Sequence, residues 1–206
     1  NQILTNQTNL TAAFSAAGLT HTVASGMEFS YESQLNYTLG LPTGVTQVNA
    51  NLYQPSTNDT FAMPVRTGAK TDGATSTAAI YLLDTIDLTD QWQISAGLRA
   101  EHYSTTTDII TVQAAATPQT IPVGTLLGSG AKSSDNLFSY KIGTVYKPTA
   151  DGSVYLSYAT SQLPPGGANF SLSTAATNQN NPMLAPQKGS NLELGTKWNL
   201  LNNKLF

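Results

Sequence analysis

Cysteine is absent from the 206 residues, which excludes a disulfide scaffold and any thiolate metal site. Charge is scarce as well: Asp, Glu, Lys and Arg make up 10% of the chain, against roughly 25% in ordinary soluble proteins. Thr, Asn, Ser, Gln and Ala stand where Lys and Glu would normally be, a composition that suits a lumen or a lipid boundary better than a cytosolic exterior. The nine Lys and Arg are scattered, the net charge is −3, and no basic patch is visible, which argues against nucleic acid as a partner. No run of about 18 apolar residues exists to cross a bilayer as a helix, and no basic-then-apolar leader opens the chain. A chain that starts at Asn1 instead of Met is expected to be mature or cut. The lack of a helical span leaves the membrane open as a location, because the strands of a barrel alternate and barely register in hydropathy.

What is present is period two. In Ser190 to Phe206, Leu192, Leu194, Thr196, Trp198 and Leu200 fall on one face of an extended chain, and Asn191, Glu193, Gly195, Lys197 and Asn199 on the other. A helix would scatter these residues, so the spacing predicts a strand, ended by a tight turn at Asn202-Asn203. Similar strands are predicted over 1–16, 19–33, 76–88, 92–103, 135–147 and 153–162. In the clearest of them Trp92, Ile94, Ala96, Leu98 and Ala100 oppose Gln93, Ser95, Gly97, Arg99 and Glu101. The stretches near 34–75, 104–133 and 163–189 show no sustained period, contain Pro and Gly, and read as long loops of functional type.

The connections alternate: short at 17–18, long, short at 89–91, long, short at 148–152, long, short at 202–203. An up-and-down antiparallel meander puts every second connection at the same end, so one rim carries tight turns and the other carries the long loops. Outer-membrane barrels have that asymmetry. Trp92, Tyr146 and Trp198 lie beside short turns on the apolar face, where a girdle of membrane-interface aromatics is expected. The expected fold is therefore all-β, about seven complete strands of a barrel wall spanning 1–206.

Two segments, YLSYATSQLPPGGANF from Tyr155 to Phe170 and LAPQKGSNLELGTKWNLLNNKLF from Leu184 to Phe206, resemble the barrel of TonB-dependent outer-membrane receptors, especially the catecholate-type ferric siderophore receptors. The likeness extends to HTVASGMEFSYE within Leu19 to Glu32 and to YLLDTIDLTDQWQISAGLRAEHY from Tyr81 to Tyr103. Pro186-Gln187-Lys188 stands where such receptors commonly read Pro-Glu-Lys. The resemblance implies a section of a 22-stranded transmembrane barrel in the bacterial outer membrane, a plug domain inside it, a periplasmic TonB contact, and import of ferric siderophores without catalysis. Neither the plug nor a TonB box is recognisable in this chain, so it is expected to be a fragment of a larger receptor. The rival reading is a β-rich assembly subunit or adhesin that self-associates through open strand edges.

Ferric catecholates are anionic and flat-ringed, so cations and aromatics on the long loops are the candidate ligand contacts. They are Arg66, Lys70, Lys132 and Lys188, with Tyr37, Tyr53, Phe61 and Phe170. Arg99 and Lys141 face the polar side in mid-strand, as do Glu28, Glu101 and Glu193, and together they are expected to form a lumenal charge network. Leu163-Pro164-Pro165-Gly166-Gly167 stiffens and then frees the start of the third loop, which fits either a gate or an ordinary turn. The histidines, His21 and His102, lie far apart without zinc spacing, and no nucleophile elbow, P-loop or dinucleotide fingerprint occurs. No enzyme, cofactor or metal site is expected.

Overall fold

Alternation of side chains along an extended backbone becomes, in three dimensions, one continuous ladder. The computed structural model describes residues 1–42, 44–46, 49–54, 56–58, 62–114, 121–167 and 169–199. Among them run β1 (Gln2–Ala16), β2 (Leu19–Gly40), β3 (Val65–Asp87), β4 (Trp92–Val112), β5 (Leu126–Thr149), β6 (Gly152–Leu163) and β7 (Gln187–Trp198). Each strand pairs antiparallel with the next, so the sheet order is the sequence order. The expected all-β meander is what forms, with short connections at one rim and long ones at the other.

The register sorts the faces. Met27, Ile80, Ala100 and Phe138 stand side by side across β2 to β5, and Leu82, Leu98 and Tyr140 follow two residues further toward the short turns. These side chains are uncovered by protein, Ile80 being 64% and Leu194 on β7 74% exposed. The apolar face is therefore the outer one. It runs from Tyr31 opposite Ser76 down to Trp92 opposite Tyr146, roughly 12 residues at about 3.3 Å each. With a tilt of about 40° that spans about 30 Å, the thickness of a bilayer's hydrocarbon. On the inner face the ring of Tyr155 lies over Gly195, where any Cβ would collide with it, and its hydroxyl donates to Glu193 at 2.7 Å.

The short connections are tight for identifiable reasons. Ala17 and Gly18 both take positive φ, 52° and 77°, the left-handed pair that a two-residue hairpin requires. Between β3 and β4 the Thr89 hydroxyl accepts from the amides of Gln91 and Trp92, at 3.2 and 3.0 Å. The expected turn at Asn202-Asn203, and Leu200 before it, lie outside the described residues.

The long connections are shorter than their hydropathy suggests: 41–64, 113–125 and 164–186, in place of 34–75, 104–133 and 163–189. Beyond the apolar belt neither face has to be greasy, so the period-two signal disappears while the hydrogen-bonded ladder continues. Thr105 to Thr107, for example, pair with Thr75 to Gly73 on one side and with Ser133 to Ala131 on the other.

Candidate ligand-binding lumen

A single sheet cannot bury its own face, yet the upper inner wall of β3 to β5 is buried. Tyr103, Thr105, Thr107, Ser133 and Leu137 are all shielded, and Thr105 is 0% exposed. Over Gly73, Thr105 and Thr107 the cover is the 164–186 connection, which folds back onto this wall. The Thr107 hydroxyl donates to the Phe170 carbonyl at 2.8 Å and accepts from the Leu172 amide at 2.9 Å. Beside it the Thr75 and Thr105 hydroxyls share a hydrogen bond of 2.7 Å, and Tyr103 bonds to Ser133 at 3.1 Å. Leu172 is the apolar anchor, 1% exposed. The connection is braced internally as well: the Phe170 amide donates to Gly166 O at 2.7 Å, and Asn180 Oδ1 accepts from the Gly166 amide at 3.3 Å.

Below this seat, toward the short turns, lies charge. Arg99 donates to Glu101 Oε2 through Nε and Nη2, at 3.0 and 2.7 Å, and Nη1 reaches Glu28 Oε2 at 3.5 Å. The side chains stay partly open to the lumen, so solvent screens the pairs in part. Arg99 and Glu101 also line a cavity of about 300 Å³ with Leu137, Ser139, Ser161 and Gln162. A second cavity, about 420 Å³, lies lower, among Ser95, Lys141, Tyr155, Glu193 and Lys197.

The expected charge network thus divides in two. Arg99, Glu28 and Glu101 come together, whereas Glu193 joins Tyr155, whose ring also receives the Lys197 ammonium at 5.6 Å. Lys141 shares that second cavity and, among the described residues, makes no ion pair. The structure brings Trp92 and Tyr146 into ring contact, centroids 4.6 Å apart, and lays the Trp198 ring over Gly152.

The loop cations are relocated. Arg66 and Lys70 lie on β3, Lys132 on β5, Lys188 on β7 and Tyr37 on β2, not on loops. Each sits in a stretch where the ladder outlasts the hydropathy signal. Their register puts them on the outer face: Lys70 pairs with Tyr37, Lys132 with Thr106, and Lys188 stands four residues before Leu192 on its own strand. Arg66 stacks on the Tyr37 ring, 3.8 Å from its centroid. Tyr53 does lie in a loop, 90% exposed, and Phe170 lies in the connection seated on the inner wall. Phe61 falls outside the described residues. Sequence reasoning missed Gly73, Thr75, Thr105, Thr107 and Leu172. A run of β-branched Thr from 105 to 107, flanked by a confirmed strand, is the signal that could have extended β4 to reach them.

Among the described residues no group of three or more His, Asp and Glu could hold a metal ion. Comparison with known proteins accords with a barrel wall and a partly enclosed polar lumen. The family model for the TonB dependent receptor-like β-barrel matches residues 1–206. The chain is 38% identical over 215 residues to the catecholate siderophore receptor Fiu of Escherichia coli O157:H7, covering all of this chain and 28% of that protein. Among solved structures, the closed form of the ferric-catecholate import receptor Fiu from E. coli K12 matches at TM-score 0.88 and 36% identity, over 98% of this chain and 29% of that one. The siderophore receptor PiuA of Acinetobacter baumannii matches at TM-score 0.67 and 26% identity, over 98% and 29%. This chain thus spans under a third of the length of these relatives. Its seven strands are part of the wall of a bacterial outer-membrane barrel, and the chain belongs to the TonB-dependent receptor family.

Proposed function

We propose that this chain forms one arc of an outer-membrane receptor that binds ferric siderophores of the catecholate type and imports them without catalysing a reaction. The observation that carries the reading is the inner wall: a long connection folded onto the lumen above Arg99, Glu28 and Glu101, in a chain 38% identical to a catecholate siderophore receptor. Phe170 supplies an aromatic group beside the chamber, and Arg99 supplies a lumenal cation for an anionic complex. Trp92, Tyr146 and Trp198 form the girdle at the periplasmic interface, and the cations of the outer face meet headgroups or water. A plug domain elsewhere in the full-length protein makes the TonB contact, and the free edges of β1 and β7 pair with further strands of the same barrel, not with other copies.

The test is equilibrium binding of a ferric tris-catecholate to the full-length protein, followed by iron uptake in cells with and without TonB. Binding in the micromolar range or tighter, with TonB-dependent uptake, is the expected result. A full-length protein that binds no ferric catecholate would overturn the proposal.

A further inference from the structure

Resting on that reading, we propose that Gly73 and Thr107 are positioning residues for ligand selection: they seat the 164–186 connection inside the lumen, and the seated connection sets how large a complex the chamber accepts. Three independent features converge on this seat. First, Gly73 lies mid-strand in β3, where glycine weakens a sheet and marks the close approach of another backbone. The approaching backbone is that of Phe170, whose carbonyl lies so near that any Cβ at position 73 would collide with it. Second, one hydroxyl, that of Thr107, satisfies both the carbonyl of Phe170 and the amide of Leu172. That reciprocal pair fixes the connection's height as well as its direction. Third, Phe170 holds a φ of +54°, a left-handed conformation that a bulky residue rarely adopts without support. The wall supplies that support.

The seat also lies where size matters. Along β4, Arg99 and Thr105 are six residues apart on the same inner face, about 20 Å at about 3.3 Å per residue. The connection therefore lies on the inner wall between the long-loop rim and the cavity that Arg99 and Glu101 line, beside the route a complex takes from that rim to those groups. The rim itself is made of paired strands whose spacing is fixed by the ladder. Adjustable width belongs to the connections and not to the ladder, and the position of the 164–186 connection belongs to Gly73 and Thr107.

The experiment uses the full-length protein in outer-membrane vesicles, as wild type, Thr107→Val, Thr107→Ser and Gly73→Leu. Two quantities are read: amide hydrogen exchange across 164–186, and the ratio of affinities for a small and a large probe. The probes are the ferric complex of free dihydroxybenzoate and that of a linked tris-catecholate. Thr107→Val and Gly73→Leu are expected to speed exchange at the Leu172 amide at least tenfold and to shift the affinity ratio at least threefold toward the larger complex. Thr107→Ser keeps the hydroxyl and should behave as wild type. Unchanged exchange in Thr107→Val would remove the seat. Faster exchange with an unchanged affinity ratio would leave the seat but overturn its role in selection. Failure of the wild type to bind either complex would instead defeat the receptor reading, while the exchange data still decide whether the seat exists. Should Gly73→Leu fail to assemble, the contrast between Val and Ser at position 107 decides alone.

Discussion

The lower and upper halves of β3 and β4 are one continuous ladder whose outer face is uncovered throughout, yet the two halves carry different chemistry on it. Toward the short turns the outer side chains, Ile80, Leu82 and Leu98, are apolar and uncovered, and the inner ones, Tyr81, Arg99 and Glu101, are polar. Toward the long loops it is the inner side chains, Thr105 and Thr107, that are buried, while Thr106 and Asp108 stand exposed on the outside. The backbone does the same thing in both halves; only the medium on each side differs. Lipid demands apolar side chains, but a covering loop is content with hydroxyls it can bond. Hydropathy therefore reports what a strand faces, and pairing has to be inferred separately.

That contrast can be broken at defined positions. Leu98→Arg, at mid-belt on the outer face, is expected to destabilise the full-length barrel by about 2–4 kcal/mol, whereas Thr106→Arg on the same face of the same strand should cost under about 0.5 kcal/mol. Denaturant unfolding in lipid vesicles measures both, and equal effects would abolish the distinction between halves. Next in size is Arg99→Ala, which leaves Glu28 and Glu101 facing each other; a loss of about 1–2 kcal/mol is expected in the same assay, discounted for partial solvent screening. Tyr155→Phe removes the bond to Glu193 and keeps the ring over Gly195, so a loss smaller than that of Arg99→Ala is expected in the same assay. Smallest are Lys70→Ala, Lys132→Ala and Lys188→Ala, whose outer-face positions predict affinity for a ferric tris-catecholate within about twofold of wild type by titration. A tenfold loss for any of them would return that cation to the ligand chamber.

The lower half was legible because lipid imposes a strict rule. Leu192, Leu194 and Trp198, or Ile94, Ala96 and Leu98, announce both the strand and its face, and the turns at Ala17-Gly18 and 89–91 follow from where the pattern stops. The upper half was not legible, since Lys70 and Lys132 look like loop cations when the residues around them no longer alternate. Only the register reveals that they belong to paired strands and point away from the lumen. Arg99, Glu28 and Glu101 could be assigned to one face from parity, and the structure brings them within reach of one another. The seat for the third connection was invisible because its partners are far apart in the chain: Thr107 and Phe170 are separated by 63 positions, and the segment that ends at Phe170 says nothing of which strand it meets. The Pro-Pro-Gly-Gly run did mark where that connection starts, but not where it goes.

Because β3 stays paired well past the oily zone, with β4 as far as Lys70 and with β2 as far as Val65, the sheet rises above the membrane like a parapet. From Val65 to Ser76 there are about 11 residues, which at about 3.3 Å each and a tilt of about 40° lift the start of the connection on the order of 28 Å above the acyl chains. Lateral contact at that height meets hydrogen-bonded strands, and the long connections are carried clear of the acyl chains.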